Sequence, residues 1–285
     1  MEPTRFPNKE FSEQDIQDLS PTMKIGILGT VTPEGLPHLT LITTMMASNS
    51  QQLVWGQFME GSSKHFIHTN SKTGFLIMSL DKSFWTGRAE YTQSAQQGKE
   101  YDFYNNTPLF RYNSYFGVHT VHYMKLLQHS GKHPLPMNQV IFAAVKTLFG
   151  RSLSLFKSKK EVMNTWTRAF FNKIDNLKFL GYVDANGYPV IVPVIQAQAL
   201  DSEHICYSLS AFESELAAIP PFTPVAVFSM ALTMQDVLVR GTYQGIKRLG
   251  GINCGIIQIE WVYNSMPPTP QQIYPEVPIE TISQF

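Results

Sequence analysis

The sequence has little cysteine and no excess of either charge, and each shortage excludes a class of protein. Only two cysteines occur in 285 residues, and both lie inside apolar, strand-like runs. That excludes a disulfide-built secreted scaffold and predicts two buried thiols in a reducing compartment. Lys plus Arg total 22 and Asp plus Glu total 22. A nucleic-acid partner is therefore not expected, because general nucleic-acid binders normally carry a basic surplus.

Long hydrophobic runs are also missing. No run approaches the ~18 apolar residues that a membrane span requires, and the first fifteen residues, MEPTRFPNKEFSEQD, contain no apolar signal region. The sequence therefore predicts a soluble, cytoplasmic protein without a membrane partner.

What the sequence does contain is a repeat. The run Gly29-Thr-Val-Thr-Pro-Glu-Gly-Leu-Pro-His-Leu returns as Gly181-Tyr-Val-Asp-Ala-Asn-Gly-Tyr-Pro-Val-Ile, 152 residues later. Three further runs pair in the same order: 53–56 with 205–208, 75–79 with 225–229, and 117–123 with 255–261. Two copies of one β-rich unit are predicted, and such a chain can imitate a homodimer. Whether the protein is otherwise monomeric or forms a further homodimer stays open.

Hairpin turns and short strands define the predicted organisation. The Pro-Glu-Gly and Ala-Asn-Gly turns supply the positive φ of tight hairpins. We predict an N-terminal leader with one short helix over 1–22, a first barrel over 23–130, a helical linker over 131–175 and a second barrel over 176–285 with a Pro-rich tail. Each barrel is expected to have six strands. The apolar residues of the linker helix fall at helical spacing and favour a helix packed against a barrel over a membrane-surface helix. They are Met137, Val140, Ile141, Ala144, Val145, Leu148 and Phe149.

Copy one carries an insertion before its last strand, KEYDFYNNTPLFRYNSY. Long loops are often functional, and the many rings of this one could line a flat pocket. Tyr112 or Tyr115 is then the expected contact with a substrate. The alternative is that the rings pack against the protein's own barrels.

Residues 53–64, a helix, and residues 73–79 together resemble the FMN-binding split barrel of the pyridoxamine 5′-phosphate oxidase-like proteins. The resemblance covers about 23–126 in copy one and 177–263 in copy two. It implies a mainly β protein made of two tandem split barrels, with FMN as cofactor. In that family two protomers enclose the flavin, so here one chain is expected to supply both as a pseudo-dimer.

The phosphate site can also be argued from the residues themselves. Backbone N–H groups at a helix start, two hydroxyls and a Lys form an anion site, and Ser62, Ser63 and Lys64 supply that set. Copy two has Glu213-Ser214-Glu215 there, which would repel a phosphate. One FMN site, anchored by copy one, is therefore predicted. The alternative is an ordinary helix cap with a solvated lysine.

The resemblance assigns further residues to the flavin. Leu41, Ile42, Thr43 and Thr44 match the strand beside the cofactor, although the two threonines could equally be ordinary strand formers. Gln57 and Phe58 end the next strand near the ring. Arg88 could reach the phosphate or could be a surface arginine.

The reaction is less defined than the cofactor. The oxidases of this family have an Arg- and His-rich C-terminal segment, whereas this chain ends in Tyr274-Pro-Glu-Val-Pro-Ile-Glu-Thr-Ile-Ser-Gln-Phe. We therefore expect a flavin oxidoreductase that acts on another small or planar substrate, with no catalytic residue identifiable. The alternative is a non-catalytic FMN or haem carrier or sensor. His65/His68 and His119/His122 are each spaced by three, but no carboxylate or Cys completes a metal site.

Overall fold

A computed structural model describes residues 6–20, 23–58, 61–107, 117–264 and 271–278. The chain divides into two compact units. The first comprises Met1–Leu135 with Gly181–Ile191, and the second comprises Pro136–Leu180 with Val192–Phe285. The hairpin tip 181–191 is thus copy-two sequence that packs within the first unit.

The first sheet begins after a short helix, which is capped by the Ser12 hydroxyl. The elements of copy one are α1 Glu13–Leu19, β1 Lys24–Val31, β2 Pro37–Leu41, β3 Met46–Asn49, β4 Gln52–Gln57, α2 Ser62–Thr69, β5 Lys72–Ser79, β6 Ser83–Ala95, α3 Lys99–Asn106, β7 Thr120–His129 and β8 His133–Pro134. The strands are ordered β2-β1-β5-β6-β7-β4-β3, with β8 paired to β6. The apolar faces enclose a core around Phe75, Trp85 and Met124.

Copy two repeats this order. The linker helices α4 Met137–Ser152 and α5 Thr165–Asn172 precede it, and its elements are β9 Leu177–Val183, β10 Pro189–Pro193, β11 Gln198–Ala199, β12 His204–Ser208, α6 Glu213–Ala217, β13 Pro224–Met230, β14 Asp236–Leu249, β15 Ile252–Asn264 and β16 Gln271–Tyr274. The order is β10-β9-β13-β14-β15-β12-β11, with β16 paired to β15. The prediction of a mainly β chain with two tandem split-barrel units is confirmed.

Backbone hydrogen bonds recur at the predicted spacing of 152 residues. The Thr32 N–H donates to the Leu36 carbonyl and the Ile42 N–H to the Gly26 carbonyl; in copy two, the Asp184 N–H donates to Tyr188 and the Val194 N–H to Lys178. Because both the hairpin turn and the bend after the second strand recur, the repeat extends beyond side-chain similarity.

Two details of the predicted repeat are wrong. Each sheet has eight strands rather than six, because a turn after Leu41 separates β2 from β3 and because β8 and β16 add short pairings. The last pairing is also shifted. Trp55 lies opposite His122 and Tyr207 lies opposite Gly255, so Gly255 is equivalent to His122 and not to Gly117.

The linker helix packs with a different face from the one predicted. Val140, Ala143, Thr147 and Gly150 are buried, whereas the larger Ile141, Val145 and Phe149 are exposed. The helix contacts β12 and β15. Gly150 permits this approach, since a Cβ there would lie 3.3 Å from the Leu249 Cβ.

The insertion of copy one begins with α3, whereas copy two turns directly from β14 into β15 at Gly250 and Gly251. Tyr104 of α3 is buried against Val54, Val118 and Val121. The alternative that rings of the insertion pack on their own barrel therefore holds for Tyr104. Tyr112 and Tyr115 lie outside the described residues.

Candidate functional site

Helix α2 begins at the end of β4, where the predicted anion site lies. Its N-cap residue is Gly61, which has extended backbone geometry and no side chain to provide a capping oxygen. The first-turn N–H groups of a helix have no partner within the helix. Without a side-chain cap from Gly61, this helix start retains the geometry that binds an anion.

The three predicted residues occupy the first turn of α2. Ser63 is buried, and its hydroxyl contacts the Thr40 hydroxyl at the end of β2. Ser62 and Lys64 flank it and are partly exposed. Partial burial lowers the pKa of the Lys64 ammonium. The structure thus brings Ser62, Ser63 and Lys64 together beside β2.

The equivalent helix of copy two is different in length, cap and charge. Helix α6 has five residues, and its N-cap residue Phe212 has left-handed backbone geometry. Glu213 and Glu215 lie in its first turn, and the Ser214 hydroxyl donates to Glu215. Two carboxylates at this position oppose a phosphate through like-charge repulsion.

A buried histidine lies next to the end of β4. His122 Nε2 is 2.9 Å from Gln57 Oε1, and because a carboxamide oxygen can only accept, Nε2 carries the proton. The imidazole stacks on Trp55, with ring centroids 4.0 Å apart. Its Nδ1 finds no hydrogen-bond partner within the described part of the chain. Burial, followed by the nearby His68 and Lys64, lowers the pKa of His122 to about 4.

Sequence reasoning noted His122 only as half of a histidine pair. The strand periodicity correctly indicates opposite faces, because His119 is exposed and His122 is buried. The signal that could have identified its partner is the pairing of β4 with β7, which places Trp55 opposite His122. In copy two, Gly255 takes this position, and a Cβ there would lie 2.5 Å from the Tyr207 ring. Copy two therefore has no counterpart of this imidazole.

The predicted flavin-side residues of β2 fall into two groups. Leu41, Ile42 and Thr43 are partly exposed at the end of the strand and its following turn. Thr44 is buried, donates to the Gly56 carbonyl at 2.8 Å and accepts from the Gly56 N–H at 3.1 Å. Its own carbonyl accepts from the Tyr104 hydroxyl at 2.7 Å. In the structure, Thr44 ties the β2–β3 turn to β4.

The remaining predicted residues lie at different places in the first unit. Phe58 packs against the cluster that contains Val54 and Tyr104. Arg88, on β6, forms an ion pair with Asp184, and its guanidinium carbon lies 5.6 Å from the centre of the Tyr188 ring. Arg88 is thus engaged with the hairpin tip 181–191.

The described residues contain no group of three or more His, Cys, Asp or Glu side chains arranged to hold a metal ion. His68 and His122 have ring centroids 6.5 Å apart, but His68 is exposed and also faces Tyr91. Among the described helices, none combines the length and the apolar character needed to cross a membrane.

No protein-family model matches the chain, and no curated protein matches it. The chain is similar to several solved structures of low sequence identity. An FMN-binding protein from Syntrophomonas wolfei is 13% identical, with 41% of this chain and 82% of that chain covered and a TM-score of 0.36. HupZ from Group A Streptococcus is 12% identical over 42% and 91%, with a TM-score of 0.35. An FAD-binding protein from Mesorhizobium loti is 10% identical over 42% and 93%, with a TM-score of 0.30.

Two of these three structures are of proteins that bind FMN or FAD. Each covers about 41% of this chain, and the two copies within the chain have the same strand order.

Proposed function

We propose that the chain is an FMN-binding flavoprotein whose copy one holds the cofactor phosphate at the start of α2. The observation that carries the proposal is the difference between the two copies. Ser62, Ser63 and Lys64 open an eight-residue helix in copy one, whereas Glu213 and Glu215 open a five-residue helix in copy two. The same place in the same fold thus favours an anion in one copy and opposes it in the other.

The donor set fits a phosphate monoester. First-turn N–H groups and the Ser62 and Ser63 hydroxyls can donate to phosphate oxygens, and the Lys64 ammonium supplies a positive charge. Thr40 contacts the Ser63 hydroxyl and so fixes its position. An anion at this place would also offset the loss of hydration that lowers the pKa of Lys64.

The ring side of the proposed site follows the resemblance. Gln57 ends β4 and Phe58 follows it, and the partly exposed Leu41, Ile42 and Thr43 lie at the end of β2 and in the turn after it. His122 donates to the Gln57 side-chain oxygen, which orients the amide for a ligand contact. The position of the flavin between the two copies stays a prediction of the resemblance, as does a role of Arg88.

We further propose that the protein acts as an oxidoreductase on a small or planar substrate. When bound, FMN supplies the electron-transfer chemistry, and the protein supplies binding, orientation and the exclusion of water. The competing function is a non-catalytic FMN or haem carrier or sensor. For haem, His122 is poorly suited as a ligand, because its ring is buried and stacked on Trp55.

The test is reconstitution of the purified protein with FMN, riboflavin or haem, followed by gel filtration and absorption spectroscopy. We expect FMN to be retained with a shifted flavin spectrum and riboflavin to bind more weakly, because riboflavin lacks the phosphate. Equal affinity for both flavins would remove the phosphate site, and retention of haem alone would favour the carrier. Turnover of NAD(P)H by the FMN-loaded protein with an acceptor separates an enzyme from a carrier.

A further inference from the structure

Helix α4 and the segment that follows it expose an unusual number of large apolar side chains. On α4, Phe142 is 56% exposed and Phe149 is 53% exposed, while Leu155 beyond the helix is 93% exposed. Ile141, Val145 and Leu153 are also exposed. The helix reaches β12 and β15 through its small side chains, so this large-residue face points away from the core of its own unit. We call these exposed apolar residues, together with Lys146, Arg151, Lys157, Lys159 and Lys160, the α4 surface.

The α4 surface is positively charged as well as apolar. The sequence contains no Asp or Glu from Phe103 to Lys160, and residues 137–160 contain Lys146, Arg151 and the lysines at 157, 159 and 160. Lys157, Lys159 and Lys160 are exposed immediately after the apolar residues.

The turn between β14 and β15 adds further positive charge. A Cβ on Gly250 would lie 2.5 Å from the Leu153 Cδ1, so this turn adjoins the α4 surface. Lys247, just before the turn, has its Nζ 5.3 Å from the centre of the Phe156 ring. Lys247 and Arg248 are both exposed.

The acidic residues beside this surface are engaged with other partners; Asp201, for example, is paired with His204, whose ring centroid lies 4.9 Å from that of Phe156. Glu203 accepts from the backbone N–H groups of Lys159 and Lys160 at 2.8 and 3.3 Å, so its carboxylate holds the loop in place. Glu161 lies 3.7 Å from an Arg168 nitrogen. A positive surplus therefore accompanies the exposed apolar side chains.

We propose that the α4 surface binds the surface of an anionic lipid membrane. Exposed Phe and Leu side chains can enter the headgroup region while adjacent lysines pair with acidic headgroups, and the two contributions add. Lys146 places a positive charge beside this apolar face, since its Nζ lies 4.3 Å from the centre of the Phe142 ring and donates to the Ser210 hydroxyl at 3.0 Å. The binding is peripheral.

A second copy of the chain is a less suitable occupant. A two-fold interface brings the same patch of both chains together, so the lysines at 157, 159 and 160 would approach their own copies. Like charges in a shared interface oppose association. An anionic bilayer satisfies the apolar and the cationic groups at once.

Co-sedimentation of the full chain with vesicles tests the proposal. We expect binding to phosphatidylcholine vesicles that contain phosphatidylglycerol, weak binding to phosphatidylcholine alone, and release by salt. The triple variant Lys157→Gln/Lys159→Gln/Lys160→Gln should lower the partition coefficient by about 100-fold, since each basic residue near an anionic surface contributes about fivefold. The double variant Phe142→Ser/Phe149→Ser should also lose binding.

Matched controls carry the same changes elsewhere. Leu232→Ser removes an exposed apolar residue from the β13–β14 turn, and the triple variant Lys9→Gln/Lys99→Gln/Lys125→Gln removes three exposed lysines from the first compact unit. Both controls should bind like the parent chain. Absence of binding to anionic vesicles, or equal losses in variants and controls, would overturn the proposal. So would a dimer in analytical ultracentrifugation that Phe142→Ser/Phe149→Ser dissociates, because a second copy would then cover the surface.

Discussion

The guanidinium of Arg88 is paired with the carboxylate of Asp184, which joins β6 of copy one to the hairpin tip of copy two within the first compact unit. Asp184 also accepts from the Tyr188 backbone N–H at 3.0 Å, and the Tyr188 hydroxyl donates to Glu90. The nearby Lys72 ammonium donates to the Asn186 carbonyl at 2.7 Å. A polar network therefore fixes the hairpin tip on β5 and β6.

We expect Arg88→Ala and Asp184→Ala to be strongly non-additive. Each change leaves a largely buried charge without its partner, so each should lower the free energy of unfolding by about 1–3 kcal/mol, while the double variant loses little more. Urea unfolding of the four proteins in a double-mutant cycle measures the coupling. In the same variants, unchanged FMN affinity would exclude Arg88 from the phosphate site, whereas a large loss in Arg88→Ala alone would support the predicted contact.

Lys64 gives the direct test of phosphate binding. Lys64→Glu should weaken FMN binding by about 10–150-fold, because a charge-assisted contact contributes about 1.5–3 kcal/mol. Riboflavin affinity should be nearly unchanged, since riboflavin has no phosphate. Glu215→Ala in copy two is the matched control and should leave FMN affinity unaltered. Fluorescence titration measures all three; equal FMN affinity in the Lys64 variant and the parent would place the phosphate elsewhere.

Variants of Thr44 and Tyr104 distinguish a structural role of Thr44 from a role in binding the cofactor. Thr44→Val should destabilise the fold by about 1–3 kcal/mol, because it removes both hydrogen bonds to the buried Gly56 peptide. Tyr104→Phe should cost about 1 kcal/mol through the lost bond to the Thr44 carbonyl. Thr43→Val, on the partly exposed neighbour, is the control for stability. Thermal and urea unfolding measure these effects, and a Thr44 variant of normal stability with weakened FMN binding would contradict the structural role.

His122 predicts a pH dependence of stability. Its pKa is lowered from 6.5 to about 4 in the folded chain, so between these values the unfolded chain binds a proton that the folded chain does not. The contribution is complete above about pH 6.5 and is lost as the pH falls toward about 4, by at most about 3 kcal/mol. His122→Gln should therefore lose less stability than the parent over this range. In the control variant His133→Gln, which changes an exposed histidine, the free energy of unfolding should fall with pH as much as in the parent. If His122→Gln also loses as much as the parent, groups other than His122 cause the pH dependence.

The sequence by itself determined the duplication and the fold class, and it predicted the place of an anion site. These follow from local signals: hairpin turns with glycine, alternating apolar residues, and a Ser-Ser-Lys run at a helix start. Such signals need no knowledge of distant contacts, because turn geometry and helix capping act over a few residues. The spacing of 152 residues followed from the same turns and recurs in the hydrogen bonds of both copies.

Only the tertiary structure decided which residues meet across long separations in the chain. It paired His122 with Gln57 and with Trp55, and it showed that the fourth repeat pairing is shifted, because the strand register is set by cross-strand partners that the sequence pattern does not display. It joined Arg88 to Asp184, 96 residues away. In the structure the small residues of α4 face inward and the large ones face outward. The helix lies so close to β12 and β15 that there is room for Ala143 and Gly150 but not for Phe142 or Phe149.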